Sequence, residues 1–319
     1  DTLDWWGLAF LIMGIGALQI LLERGESKGW FDSAEITTEA VIAGFGLVAF
    51  VVRELVADHP IVDLRILKNR QLTAGVVFGL ALGFALYASV FALPILLQNL
   101  LGYTAWDTGK VILPGALASA VTMAFVGKFV AKIDARLMIT IGVGLVFWSM
   151  WLHYRLTLQI GLGDLFWPMV LRGVGLGFIF VPLTNAAVAD LHPRQFAQGT
   201  GLFNLSRQLG GSFGIAIAAT LITRFTIRAQ TALTAHVNVY QPGVATWLAG
   251  ATRTFQRLGG SAQHAGLQAQ ALLGRVIQAQ SMMIAFERVF LTMGITFVCA
   301  LPLLLLFRTG RVAGGNPAH

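Results

Sequence analysis

Residues Trp167 to Asn185 read WPMVLRGVGLGFIFVPLTN. A bilayer-crossing helix takes about 20 predominantly apolar residues, and this run supplies them. Its single charge is Arg172, set among Gly173, Gly175 and Gly177 and bracketed by Pro168 and Pro182. A charge at the centre of a membrane helix costs roughly 2.5–3.5 kcal/mol on insertion scales. Arg172 is therefore expected to face protein or a water-filled cavity rather than lipid. The rest of the chain is read from what must surround that helix.

The composition makes the surroundings a membrane. Of 319 residues, 56% are hydrophobic and 12% charged, where a soluble domain carries about 25% charged residues. The mean hydropathy is +0.73. The net charge of +7 does not indicate nucleic acid, because the basic residues sit in short turns beside apolar runs, as membrane orientation requires. The one cysteine, Cys299, rules out an intrachain disulfide. The chain opens Asp1-Thr2-Leu3-Asp4, with neither a basic signal-peptide start nor an initiator Met. This suggests a chain cut from something longer.

Eight candidate spans follow: Trp6–Leu22, Thr38–Val56, Leu72–Leu97, Gly109–Val130, Leu137–Leu156, Leu165–Val188, Gly199–Thr223 and Met283–Phe307. The turns after the second, fourth and sixth spans, with the tail, hold Arg53, Arg65, Lys68, Arg70, Lys128, Lys132, Arg136, Arg194, Arg308 and Arg311. The alternate turns hold Arg24, Lys28, Lys110 and Arg155. The first set is cytoplasmic by the positive-inside rule, and so is the C-terminus. Residues 229–281, rich in Gln, Ala, Gly and Thr, then lie outside. Ala265–Gln280 shows apolar residues at helical spacing, which reads as short amphipathic helices over the outer mouth or as a poorly ordered insertion.

Several motifs are weighed against plainer readings. The alternating glycines imitate a dinucleotide loop, but such a loop follows a strand, so close helix packing is the better account. No G-x-x-x-x-G-K-[ST] occurs, so no residue set for ATP is present, and the energy source is expected to be a proton gradient with no cofactor. The histidines form no close pair, so no metal site is expected. No acid/base or nucleophile constellation appears, so an enzyme is not expected. Arg172 sits roughly 10 Å deep from the outer side; it either snorkels, lines a cavity or enters an interhelical ion pair. Arg207 shares a helical stripe with Asn204, Gln208 and Gly211, which wants an aqueous lumen or a polar partner helix. Phe84, Tyr87, Phe91 and Gln98 lie along one face of the third span, with Pro94 breaking the helix. Such a stripe is either packing or the wall of a pocket for planar apolar molecules. Asp107, at the lip of the fourth span, and Glu287, one turn into the eighth, are the two candidate proton-coupling acids.

Asp4-Trp5-Trp6-Gly7 precedes the first span and LLERGESKGWFDS (Leu21–Ser33) follows it. REL…PIVDLRILKNR (Arg53–Arg70), LPILLQNLLGYTA (Leu93–Ala105), ILPGAL (Ile112–Leu117), LRGVGLGF…PL (Leu171–Leu183) and NLSRQLGGSFGIAI (Asn204–Ile217) come after, in order. In these the chain resembles the C-terminal part of the fourteen-helix drug:proton antiporters of the major facilitator superfamily, of the EmrB/QacA type. The resemblance implies an all-α membrane fold. Residues 1–70 would be the two extra central helices and an inner turn, and 71–319 the C-terminal six-helix half, with 229–281 an extracytoplasmic insertion. The N-terminal six helices would be missing, and with them the family's main inner-loop and antiporter signatures. The turn Gly127–Arg136 keeps Gly127, Asp134 and Arg136 of a degenerate loop motif, but Ala131 replaces its first acid.

In that fold the third, fourth, sixth and seventh spans line a central cavity. The candidate substrate-cavity residues are then Phe84, Tyr87, Phe91, Gln98, Arg172, Phe178, Asn185, Asn204, Arg207 and Gln208. The resemblance implies multidrug efflux by proton-coupled antiport and alternating access, from the inner membrane of a bacterium. Its partners would be the lipid bilayer, hydrophobic or amphipathic drugs, a periplasmic adaptor protein and an outer-membrane channel, with no nucleic acid. Two other readings stay open. One is a dedicated exporter of a single metabolite (a siderophore, antibiotic or fatty acid). The other is a non-transporting scaffold whose 229–281 segment docks a periplasmic partner.

Overall fold

The computed structural model describes residues 4–57, 64–130, 132–161, 163–237 and 241–307. Arg308, Arg311 and the C-terminus, used above for orientation, lie outside the described residues, as do Ala131 and the start of PIVDL. The described residues are all-helical: α1 Trp5–Arg24, α2 Ala34–Val56, α3 Arg70–Ile95, α4 Ala105–Phe129, α5 Ala135–Tyr154, α6 Phe166–Val188, α7 Phe196–His236, α8 Pro242–Arg257 and α9 Ala262–Cys299.

Short polar side chains start these helices. Asp4 accepts from Gly7 N at 3.2 Å, Asn69 from Gln71 N at 2.9 Å and Asp134 from Arg136 N at 2.9 Å, each satisfying a donor that has no partner within the helix. Asp134 of the degenerate loop motif thus has a local capping role. Pro94 does not break α3 as its sequence suggests. The helix runs on to Ile95 and widens into a π-turn over Leu96–Leu100, a local adjustment that accommodates the missing N–H.

Among the described residues, seven helices are long and apolar enough to cross a membrane, against the eight spans expected. The exception is α2, which has the length but carries Glu35, Glu39, Arg53 and Glu54, leaving an uncharged stretch only between Glu39 and Arg53. It pairs with α1 through a glycine crossing, where a Cβ on Gly46 would lie 2.7 Å from Gly14 Cα. Arg53 closes that hairpin on Asp4 at 2.9 Å.

The short helices expected over 229–281 are instead largely continuations of two spans. No proline falls between Pro193 and Pro242 or between Pro242 and Pro302, so α7 runs unbroken for 41 residues and α9 for 38. At 1.5 Å per residue each is roughly 60 Å long, about twice the hydrocarbon thickness. The amphipathic α8 lies against α9. The closest helix pairs are α3 with α7, α4 with α6, and α5 with α6, while α9 covers α5 and α7. The core they enclose includes Phe78, Leu82, Leu93, Val143, Met150, Leu183, Phe203, Phe286 and Phe290.

Glycines set these distances. On α6, Gly173 and Gly177 are four residues apart and meet α4, while Gly175 lies on another face and meets α5. A Cβ on Gly177 would fall 2.6 Å from Thr122 Cβ and one on Gly175 2.8 Å from Gly142 O; one on Gly173 would run into Gly115 O. The alternation that imitates a nucleotide loop is therefore one helix wedged between two others. The α3–α7 crossing repeats the device, with Gly83 against Arg207 O, Gly210 against Leu80 O and Gly214 against Phe84 O.

Candidate functional site

The α3–α7 contact positions the polar stripe of α7. Because Gly83 lets the Arg207 backbone touch α3, the Arg207 side chain projects towards α6. Its guanidinium lies over the Phe180 ring, 5.2 Å from the centroid, a cation–π arrangement. Nη2 donates to Asn204 Oδ1 at 3.4 Å, and Nε is buried without a hydrogen-bond partner. Met123 of α4, Phe180, Val181, Thr184 and Asn185 of α6, and Arg207 line a cavity of about 460 Å³ that is open on one side. Its walls are aromatic and aliphatic, its polar groups are one hydroxyl, one amide and one guanidinium, and no carboxylate lines it. Such a site orients an amphipathic molecule by one charge and holds the remainder by apolar contact.

The structure thus brings together Asn185, Asn204 and Arg207 of the expected residues. Beside them, Tyr87 packs its ring on Gly211 and its hydroxyl donates to Gln208 Oε1 across a long 3.5 Å. Phe84 and Phe91 pack against the core, and Gln98 is exposed in the π-turn. Phe178 points elsewhere: its Cβ is the neighbour that an atom on Gly142 of α5 would meet at 3.0 Å. The ring at the cavity is Phe180, two residues further on. Met123, Val181 and Thr184 were also not anticipated, since each is one of many such residues on an apolar helix.

Arg172 is enclosed rather than snorkelling, with 9% of its surface exposed. None of the four salt bridges among the described residues includes it, and its Nη1 is buried without a hydrogen-bond partner. It belongs to the α5–α6 interface, where Ser149 Oγ donates to Pro168 O at 2.7 Å. Asp107 is engaged locally, hydrogen-bonded to Thr104 Oγ1 at 2.7 Å and paired with Lys110 at 3.0 Å. Glu287 lies in α9 beside Arg288, whose guanidinium sits over Phe225 of α7. No cluster of metal-ligating side chains occurs among the described residues.

Helix α1 and the loop after it also reach α7, the helix through Gln19 and the loop through Glu26. Ser212 Oγ donates to Gln19 Oε1 at 2.6 Å, and Trp30 Nε1 donates to Glu26 Oε2 at 3.0 Å. Burial pushes the Glu26 carboxyl up, but hydrogen bonds from Thr220, Thr223 and Trp30 and the charge of Arg224 outweigh it and hold it below the usual carboxylate value.

The all-helical architecture and the glycine-spaced bundle define a transporter-like membrane protein. Residues 2–215 match the Major Facilitator Superfamily, and the chain belongs to that family of transporters. It is 31% identical over 321 residues to the multidrug export protein EmrB of Escherichia coli, covering 99% of this chain and 61% of that protein. It is 31% identical over 317 residues to the fatty acid resistance protein FarB of Neisseria gonorrhoeae, covering 98% of this chain and 60% of that one. Among solved structures it is similar in fold to a bacterial homologue of the human lysosomal transporter Spinster, crystallised inward-facing and occupied. The TM-score is 0.54 at 14% identity, over 98% of this chain and 67% of that one. The chain therefore spans about three-fifths of the length of the curated relatives it matches. It is a multi-pass bacterial membrane protein.

Proposed function

We propose that the chain forms one side of the substrate path of a proton-coupled multidrug exporter, and that the Arg207–Phe180–Asn185 cavity is where the cargo rests. The observation that carries this is the Arg207 guanidinium, stacked on Phe180 at 5.2 Å inside apolar walls with no acid beside it. An unbalanced cation in such a place favours amphipathic cargo bearing a negative charge or an electron-rich ring. The export relatives support the reading. A second helical bundle, facing the open side of this cavity, completes the site, and the two sides rock about it in alternating access. These 319 residues by themselves are then not expected to pump.

Energy comes from protons moving inward, and the coupling carboxylate is proposed to lie on the facing bundle, because Asp107 is already paired with Lys110. The chain is placed in the inner membrane, with the C-terminus cytoplasmic by its basic turns. The extensions of α7 and α9, with α8, then stand outside, where a periplasmic adaptor leading to an outer-membrane channel would dock. A dedicated exporter of fatty acids is the second reading. FarB's name favours it, as does a cavity with one cation and long apolar walls.

The test is efflux by the whole transporter in proteoliposomes with Arg207→Gln and Arg207→Lys. Removing the cation is expected to weaken handling of anionic amphiphiles about tenfold, from a cation–π and charge contribution of roughly 1–2 kcal/mol, while cationic dyes are little affected. Equal loss for both classes would make Arg207 a packing residue and sink the assignment.

A further inference from the structure

The α5–α6 interface holds a second polar site, away from the Arg207 cavity. On α5, Ser149 and His153 are one turn apart, and on α6 so are Pro168 and Arg172. One rung between them is closed: Ser149 Oγ donates to Pro168 O at 2.7 Å. His153 Nδ1 lies 2.8 Å from Ser149 O. A carbonyl oxygen only accepts, so Nδ1 carries the hydrogen, and in the neutral ring Nε2 is an acceptor alone. His153 is 1% exposed and Arg172 9%. His153 Nε2 and Arg172 Nη1 are both buried without a hydrogen-bond partner.

Their side chains converge. Side chains on a helix lean towards its N-terminus. The two helices are antiparallel neighbours, so His153 leans back along α5 to Ser149 while Arg172 leans back along α6 towards Pro168. Among the described residues, Arg172 is the charged group within electrostatic reach of the His153 ring. From α9 the ring meets Phe290, 4.9 Å between centroids, and Arg288 of that helix is turned to Phe225.

A buried donor and a buried acceptor, each without a partner and not bonded to each other, call for a group that accepts from one and donates to the other. A small anion can only accept, so it cannot satisfy a bare Nε2. Water does both and fits where polar groups outline the site. We propose that His153 Nε2 and Arg172 Nη1 bind one water molecule between them, a water site inside the membrane that hydrogen-bonds α5 to α6. It offsets part of the cost of burying Arg172 without an acid, which otherwise amounts to an unpaired polar group in an apolar interior.

Two measurements on the whole transporter in nanodiscs test it. Nitrogen-15 NMR of histidine-labelled protein, with His153→Asn to assign the resonance, is expected to show His153 as the Nδ1–H tautomer with an unprotonated, hydrogen-bonded Nε2 at neutral pH. High-resolution cryo-electron microscopy is expected to show a water peak within hydrogen-bonding distance of both atoms. An Nε2–H tautomer, a doubly protonated ring, a direct Arg172–His153 hydrogen bond or a bound chloride would each overturn the proposal. A thermal-unfolding cycle adds a further arm. His153→Phe with Arg172→Met together should lower the melting temperature less than the sum of the two single changes, and strict additivity would count against a shared water.

Discussion

Arg207 and Arg172 show how far a charged residue on an apolar helix can be read. Arg172 stands out because nothing else on α6 is charged, and Arg207 because the other arginines of α7, Arg224 and Arg228, lie in the far half of that helix. The stripe of Asn204, Arg207 and Gln208 marks the side of α7 that meets α3 and α6, and the structure delivers Arg207 to a cavity there. For Arg172 no stripe exists, since its helix is apolar on every face, so the sequence leaves its direction open. The same lack of a polar face explains Phe178. Two residues turn a helix by about 200°, which separates Phe178, its Cβ against α5, from Phe180, its ring beneath Arg207. His153 carries no sequence signal at all: a lone histidine at a helix end matches no ligand spacing, and its neighbour Arg172 lies across a loop. At this scale Phe180→Ala is expected to reduce affinity for aromatic anions about fivefold to tenfold, through loss of roughly 1 kcal/mol of stacking. Phe178→Ala should instead mainly lower stability. Binding titrations of a fluorescent anionic amphiphile, beside melting curves, separate the two.

The helices themselves were legible where their period, prolines and glycines speak directly. The extent of α7 and α9 was not, because hydropathy falls off beyond the bilayer while helix propensity does not, and the Ala- and Gln-rich continuation has no proline to stop it. The glycine crossings make a sharp prediction. Gly210→Ala or Gly214→Ala places a methyl group into a carbonyl of α3 and should destabilise by about 1–3 kcal/mol. Gly144→Ala and Gly201→Ala, where a Cβ meets nothing within 4 Å, should be neutral or slightly stabilising. Thermal unfolding in detergent reads the difference.

Carboxylates close the α1–α2 hairpin, through Asp4 and Glu35, and tie it to α7, through Glu26. Asp4, hydrogen-bonded to Arg53, Glu26, against Thr220 and Thr223, and Glu35, between Lys28 and Arg24, all sit below their ordinary values. A depressed carboxyl stabilises the fold above its unfolded pKa, about 4, and that contribution is lost as pH falls through the lower folded value. Cross-linking between a cysteine at Gln19 and one at Ser212, in a Cys299→Ser background, should therefore proceed at pH 7 and fade near pH 3. Glu26→Gln should bring the loss to higher pH, because its share of the attachment no longer needs acid to remove it.

For the whole molecule, the family and the architecture are established by the bundle and its relatives, and the transport cycle is what they leave to experiment. Alternating access asks that one cavity be reached from both sides in turn and that cargo occupy it. The lone Cys299 makes this accessible, since its replacement by serine leaves these 319 residues free of cysteine, and any cysteine of the facing bundle is replaced alongside it. In the whole transporter on that background, cysteines are placed singly at Asn185 and Thr184 in the cavity and at Gln159, an exposed site in the loop between α5 and α6. The most direct measurement is the rate at which a water-soluble thiol reagent modifies each position, with and without a saturating anionic amphiphile. The account predicts that substrate slows labelling severalfold at Asn185 and Thr184 and leaves Gln159 unchanged. Unaltered rates at both cavity positions, under conditions where the same amphiphile is exported, would contradict it.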